Sequence, residues 1–278
     1  MSTTMINNET KEKQKDDLQT AYDRLEQAVA CIDTNEEWLK YLKFQSRFYS
    51  YSFYNSILIW LQNPAATYVA GFSSWNQLNR LIKKGEHSIK IFAPIKYKME
   101  KEGEDSVDTK GVFILKGFRL VSVFDLSQTT GDDSKLPVVI SGIRESNADH
   151  EELYQRLRNK IEIPITEVDS MAAKGSYNPE TKEIQIKSSL SSIQKVKTLI
   201  HELAHHIHLT KYFNDETRDI GEVMAESTAY VVCQHLGIDS GEYSFGYIKT
   251  WAKEPEIIKT VGGKVQKIAR KIIEKFEA

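Results

Sequence analysis

The sequence predicts an α+β protein in two blocks: an N-terminal α+β domain, then a second domain built around one metal-binding helix. Three observations lead there. His201-Glu202-Leu203-Ala204-His205 lies inside an apolar, helix-period run from Val196 to Leu209. A second helical run, Gly221 to Cys233, carries Glu222 and Glu226. Upstream, helical patterns give way to alternating strand segments in a stretch that is basic and rich in aromatic rings.

Element by element, residues 1–17 are polar and charged and read as a disordered tail. The first domain is expected over 18–128. Leu18, Tyr22, Leu25, Ala28 and Val29 have helical spacing, predicting a helix to about Ile32. Trp38 to Phe48 is a second helix, with Asn35 as its cap. Ser52 to Leu61 is a third, stopped by Asn63-Pro64. Phe72-Ser73-Ser74-Trp75 opens a fourth, running to about Ile82, and Lys83-Lys84-Gly85-Glu86 is a turn. Ile89 to Tyr97 alternates as a strand, Glu100 to Lys110 is a charged hairpin loop, and Gly111 to Leu126 supplies one or two more strands.

Residues 129–147 are expected to be a linker, opened by Thr129-Thr130-Gly131-Asp132-Asp133-Ser134. The second domain then spans 148–278. Glu151 to Arg158 is a helix; Ile163 to Thr166, Ala172 to Tyr177 and Glu183 to Lys187 are short strands, with a turn at Asn178-Pro179-Glu180-Thr181. The strand Glu183–Lys187 is expected at the sheet edge above the metal, where an extended peptide can add as a further strand. Ser188 to Leu209 is the metal helix, Asn214-Asp215-Glu216 a loop, Ile220 to Leu236 the glutamate helix, and Tyr247 to Trp251 and Pro255 to Phe276 close the chain as helices.

The chemistry sits in the two central helices. Positions i and i+4 share a helix face, so His201 and His205 can point at one ion while Glu202 stands beside it as general base. This is the pattern of a zincin-like metallopeptidase domain, with Zn²⁺ the expected metal and another divalent ion the alternative. A catalytic zinc takes three protein ligands, so one must come from elsewhere. Glu226, 21 residues past His205, is the candidate; Glu222, one turn earlier, is the fallback or a partner that orients a histidine. His206 and His208 fall on other faces and are read as partly exposed.

The 37 basic and 39 acidic residues nearly balance, but not locally. From Leu39 to Lys98 nine lysines and arginines face only Glu86, among thirteen aromatic residues. Cations that follow phosphates and rings that stack on bases are what a single-stranded nucleic acid site needs. No apolar run is long enough to span a bilayer, and the N-terminus lacks the apolar core of a signal peptide. Cys31 and Cys233 lack metal spacing and are expected to be buried free thiols in a reducing cytoplasm.

Tyr54-Asn55, Phe72-Ser73-Ser74-Trp75-Asn76, Arg80, Lys83-Lys84-Gly85-Glu86 and Pro94 carry a resemblance, as does Val123-Phe124-Asp125-Leu126-Ser127-Gln128-Thr129. On them the first block resembles the single-stranded-DNA-binding domain of the ArdC-type antirestriction proteins of conjugative elements. The second block resembles the metallopeptidase half of that family, itself similar to ImmA/IrrE-type metallopeptidases. The resemblance covers about Leu18 to Leu236. It implies a mobile-element protein that binds single-stranded DNA and protects incoming DNA, with Zn²⁺ on His201, His205 and Glu226 and with Glu202 as base. Candidate DNA contacts are Arg47, Tyr54, Asn55, Trp75, Arg80, Lys83 and Lys84. A regulatory metalloprotease cleaving a repressor protein, and a non-enzymatic DNA-protecting protein with a structural metal, remain as alternatives.

Overall fold

The computed structural model describes residues 2–98, 113–136, 150–211, 218–238 and 255–278. Two compact units divide the chain, and the division is not linear. One comprises Met1–Gln27 with Leu58–Lys135, the other Ala28–Ile57 with Leu136–Ala278. The hairpin loop expected over Glu100–Lys110, the loop at Asn214–Glu216, the helix at Tyr247–Trp251 and the linker beyond Leu136 lie outside the described residues.

In the first unit, helix α1 (Ser2–Ala30) includes the stretch expected to be a disordered tail. That expectation weighed polarity alone. No glycine or proline interrupts the first thirty residues, and their lysines, glutamates and glutamines are good helix formers. Tyr22 of α1 stacks on Phe92 with ring centres 4.7 Å apart. Helix α3 (Phe53–Gln62) ends where Asn63-Pro64 denies it a further hydrogen bond. Its last residue, Gln62, accepts from the Lys90 N–H and donates to the Lys90 carbonyl, both at 2.9 Å.

The remaining elements are β1 (Val69–Ala70), α4 (Phe72–Gln77), β2 (Arg80–Ile82), β3 (Ile89–Lys98), β4 (Phe113–Asp125) and β5 (Thr129–Gly131). They form one sheet in the order β1-β4-β3 and a second pair, β2 with β5, all antiparallel. Two expectations are corrected. Helix α4 stops well before Ile82, because Asn79 turns left-handed (φ 55°), a conformation asparagine tolerates, and the chain re-enters as a strand. The start of the expected linker is a strand: Thr129, Thr130 and Gly131 pair with Ile82, Leu81 and Arg80. The turn-like composition there yields to two β-branched threonines and a buried arginine that ties the pair together.

In the second unit, helix α2 (Asn35–Gln45) is capped by Thr34, whose hydroxyl accepts from the Glu37 N–H, rather than by Asn35. Helix α5 (His150–Asn159) precedes a three-stranded sheet of β6 (Ile165–Val168), β7 (Gly175–Asn178) and β8 (Glu183–Lys187). The order is β6-β8-β7, with β6 parallel and β7 antiparallel to β8. The expected edge strand, β8, is therefore central, as its fully buried Ile184 and Ile186 require. Among the described residues the edges belong to β6 and β7. Helices α6 (Ser192–Lys211), α7 (Arg218–His235) and α8 (Pro255–Glu277) complete the unit.

Helix α6 buries Val196, Leu199, Ile200 and Leu203, and α8 buries Val265, Ile268 and Ile272, in each case at helical spacing. Helix α7 is buried nearly all round from Val223 to Cys233, and α2 packs on it with the Trp38 indole N–H donating to Ser227 Oγ at 2.9 Å. Cys233 is buried as expected, but Cys31 is exposed because it follows the last turn of α1. No helix among the described residues is long and apolar enough to cross a membrane.

Candidate metal centre

The apolar stripe of α6 fixes which side chains turn away from the core. With Leu199, Ile200, Leu203 and Ala204 inside, His201 and His205 emerge together toward α7. Their Nε2 atoms stand 3.1 Å apart. Glu222 Oε2 of α7 lies 3.5 Å from His201 Nε2 and 3.6 Å from His205 Nε2. Donor atoms about 2.0–2.2 Å from one tetrahedral ion stand about 3.4 Å from each other, so the spacing suits a divalent metal. Two imidazoles and a carboxylate are also the donor types zinc favours.

The carboxylate completing this cluster is Glu222, not Glu226 as the sequence led one to expect. Glu226 stands on the far side of His201, its Oε2 3.0 Å from Nδ1. The two glutamates are one turn apart on one helix face, and Glu222 is the one within reach of both Nε2 atoms. A carboxylate that accepts the Nδ1–H of a histidine fixes its tautomer and leaves Nε2 free as a ligand atom.

Electrostatics match that arrangement. Burial pulls the His201 pKa down, but hydrogen bonds to Glu222 and Glu226 and the charge of Glu202 outweigh it and raise it to about 9. Glu222 is held well below the usual carboxylate range by hydrogen bonds to His201 and His205. Glu202 is buried, and its pKa is raised because burial outweighs the attraction of the two histidines. The Tyr177 backbone N–H donates to its carboxylate.

Strand β7, expected over Ala172 to Tyr177, therefore closes over Glu202, a placement the sequence did not reveal. A Cβ on Gly175 would lie 2.4 Å from Thr198 Cγ2 and 3.0 Å from Glu202 Oε1. A glycine inside a strand pattern is the signal that a neighbour approaches closely. Tyr177 also meets His206, with its hydroxyl 2.9 Å from Nδ1. His206 thus shares the helix face of Glu202, four residues earlier. His208, expected to be partly exposed, is buried.

The expected DNA contacts divide between the units. Arg47, Tyr54 and Asn55 lie in the second. Arg47 is exposed beside the Phe44 ring, and Tyr54 is 41% exposed. Of the four in the first unit, Lys83 and Lys84 are exposed, the former bonded through Nζ to the Ser127 carbonyl. Trp75 and Arg80 are corrected. Trp75 is fully buried, with its indole N–H on the Phe124 carbonyl at 2.9 Å. Arg80 is buried too, with Nε on Thr129 Oγ1 and a terminal nitrogen on Asp133. Neither can stack on a base or meet a phosphate.

Comparison with known proteins matches two stretches of the chain. Residues 8–124 match the N-terminal domain of anti-restriction factor ArdC, and residues 157–233 match the IrrE N-terminal-like domain. The first stretch is thus similar to an ArdC N-terminal domain and the second to an IrrE-like domain. The crystal structure of the antirestriction ArdC protein from plasmid R388, metal-free, superposes with a TM-score of 0.52 over 82% of this chain and 85% of that one, at 19% identity. The Mn(II)-bound form of that protein gives 0.50 over 81% and 85%, at 20% identity. An uncharacterized protein of Bacillus anthracis, pXO2-81, is 27% identical over 292 residues, spanning 90% of this chain. The chain spans about half the length of that curated relative, 49%.

At the end of the stretch similar to ArdC, the sequence motif closing β4 is a knot. The Asp125 carboxylate accepts the N–H groups of Thr67 (2.7 Å), Tyr68 (3.1 Å) and Ser127 (2.9 Å). Gln128 accepts from the Asp125 N–H and donates to Glu86 and to the His87 carbonyl. The motif thus joins β1, β4 and the lysine turn, and its residues are framework.

Proposed function

We propose that this chain is a single-stranded-DNA-binding protein of the antirestriction kind, cytoplasmic, whose second unit is a peptidase-like hydrolytic centre for a divalent metal, with zinc favoured by the donor set. One observation carries the reading: two histidines and Glu222 converge at ligand spacing while a buried carboxylate, Glu202, stands beside them. The Mn(II) in the R388 relative supports a divalent ion, and that relative's antirestriction role supports the DNA reading.

Bound there, such an ion polarises a carbonyl and acidifies water. His201, His205 and Glu222 would hold it, and Glu226 would keep His201 in the tautomer that presents Nε2. Glu202 takes the proton on its carboxylate; its raised pKa makes it a better base than an exposed glutamate. The edge of β7, unpaired among the described residues, offers backbone groups to an extended peptide beside that base.

Glu202→Gln tests the reading. The variant is expected to keep its metal by elemental analysis, keep DNA binding and lose peptide hydrolysis by at least about 10²-fold. Loss of the metal or of the second unit's fold would make Glu202 structural. A wild-type chain that hydrolyses nothing in a broad panel of proteins would leave the metal with a structural role only.

A further inference from the structure

We infer that the β3–β4 ribbon is the surface that grips single-stranded nucleic acid. The inference rests on the DNA-binding reading above and assigns it contact residues other than the buried Trp75 and Arg80. The ribbon pairs from Ile89 with Val123 out to Lys98 with Phe113. Strand β1 covers only Phe124 and Asp125 of β4, so the rest is a two-stranded arm among the described residues. Such an arm has little reason to display apolar groups to water unless they are used.

Yet it displays four of the eight exposed large apolar side chains among the described residues: Tyr97 (52%), Ile114, Leu115 and Phe118 (40%). Around them stand Lys90, Lys96, Lys116 and Arg119, all exposed. Residues 89–98 and 113–124 contain no aspartate or glutamate. The bulge after Ile95, opposite Gly117 (φ 152°), brings Lys116 over Tyr97, its Nζ 4.2 Å from the ring centre. A cation and a stacking surface are thereby side by side.

The described strands of the ribbon carry positive charge and no carboxylate of their own, a balance that favours a polyanion. The rings decide which one. In a duplex the base faces are stacked on each other, and only the charges would find partners. Each face of the arm offers a ring with cations, Tyr97 with Lys116 and Arg119 on one and Phe118 with Lys96 on the other. The bases of a single strand wound across the arm are therefore free to stack while these cations meet phosphates.

The test is fluorescence anisotropy of the full chain with labelled oligo(dT), across a salt series. Lys96→Ala/Lys116→Ala/Arg119→Ala is expected to lose at least about tenfold in affinity at low salt, and to flatten the log–log salt slope by about 2. Tyr97→Ala/Phe118→Ala is expected to lose at least about fivefold with the slope unchanged, because stacking releases no counterions. Circular dichroism should match wild type for both; should either unfold, the single variants Lys116→Gln and Tyr97→Leu take its place with the same directions expected. If wild type binds oligo(dT) and the variants bind as well, the ribbon assignment falls while the DNA reading stands. If wild type has no affinity for oligo(dT), both fall. Equal loss for duplex and single strand, with the ring variants silent, would overturn the assignment in favour of a duplex surface.

Discussion

Glu222 and Glu226 show how little separates a ligand from its support. Both are glutamates on one face of α7, and the sequence offers no way to rank them. The structure ranks them by reach: Glu222 meets both Nε2 atoms, Glu226 the back of His201. Glu222→Gln is therefore expected to abolish stoichiometric metal in protein purified without chelator. Glu226→Gln should retain it with affinity weakened about 10- to 100-fold, the usual cost of losing the group that orients a ligand. The reverse ranking in a metal titration would return the ligand role to Glu226. His201 sets the pH dependence. Its folded pKa, about 9, lies above the ordinary 6.5, so its contribution to the metal-free fold is complete below pH 6.5 and is lost as pH rises through about 9. Chelated protein should melt at progressively lower temperature across that window, and His201→Gln should remove the trend. Metal needs the neutral imidazole, so apparent affinity should rise over the same window, by up to about tenfold per unit. A metal-free melting point flat from pH 6.5 to 9 would refute the assignment.

At the scale of elements, helices with strong apolar periodicity were legible in the sequence. α6 declares itself through Val196, Leu199, Ile200 and Leu203, and α8 through Val265, Ile268 and Ile272. What was not legible depends on partners distant in sequence. β5 looks like a turn until Arg80 is beside it, and β8 looks like an edge until β6 and β7 flank it. Trp75 and Arg80 look like DNA contacts because a buried indole and a buried guanidinium cannot be told from exposed ones by residue type. β7 was legible as a strand, but its place over the base was not. Gly175→Ala tests that. Its methyl must displace Thr198 or Glu202, and overpacking of this kind costs about 1–3 kcal/mol. The variant should melt lower yet keep its metal, since His201, His205 and Glu222 stand on the helices. Wild-type stability in Gly175→Ala would mean that β7 does not hold Glu202 closely.

For the whole molecule, the decisive fact is that residues 28–57 belong with the C-terminal unit although they lie within the N-terminal part of the chain. A linear reading places the first domain at 18–128, and the family match to residues 8–124 follows the same linear order. Physically, Trp38, Tyr41, Leu42, Phe44 and Phe48 are all buried. Their neighbours include α7, through the Trp38–Ser227 hydrogen bond, and α8, through Gln266 to the Tyr49 carbonyl at 2.7 Å. Five large apolar side chains at about 1.5–3 kcal/mol each is more than a small domain can leave uncovered. A fragment of residues 1–135 is therefore expected to expose them. It should bind a hydrophobic dye, associate in size-exclusion chromatography and lack a cooperative melt. The complementary fragment 136–278 should fare no better, because α7 loses the helix that covers it. Both fragments mixed during refolding should recover a cooperative transition, since each supplies what the other lacks. If residues 1–135 alone form a monomer with a sharp melt and no dye binding, residues 28–57 find their cover within the N-terminal part, and the interleaved division is wrong.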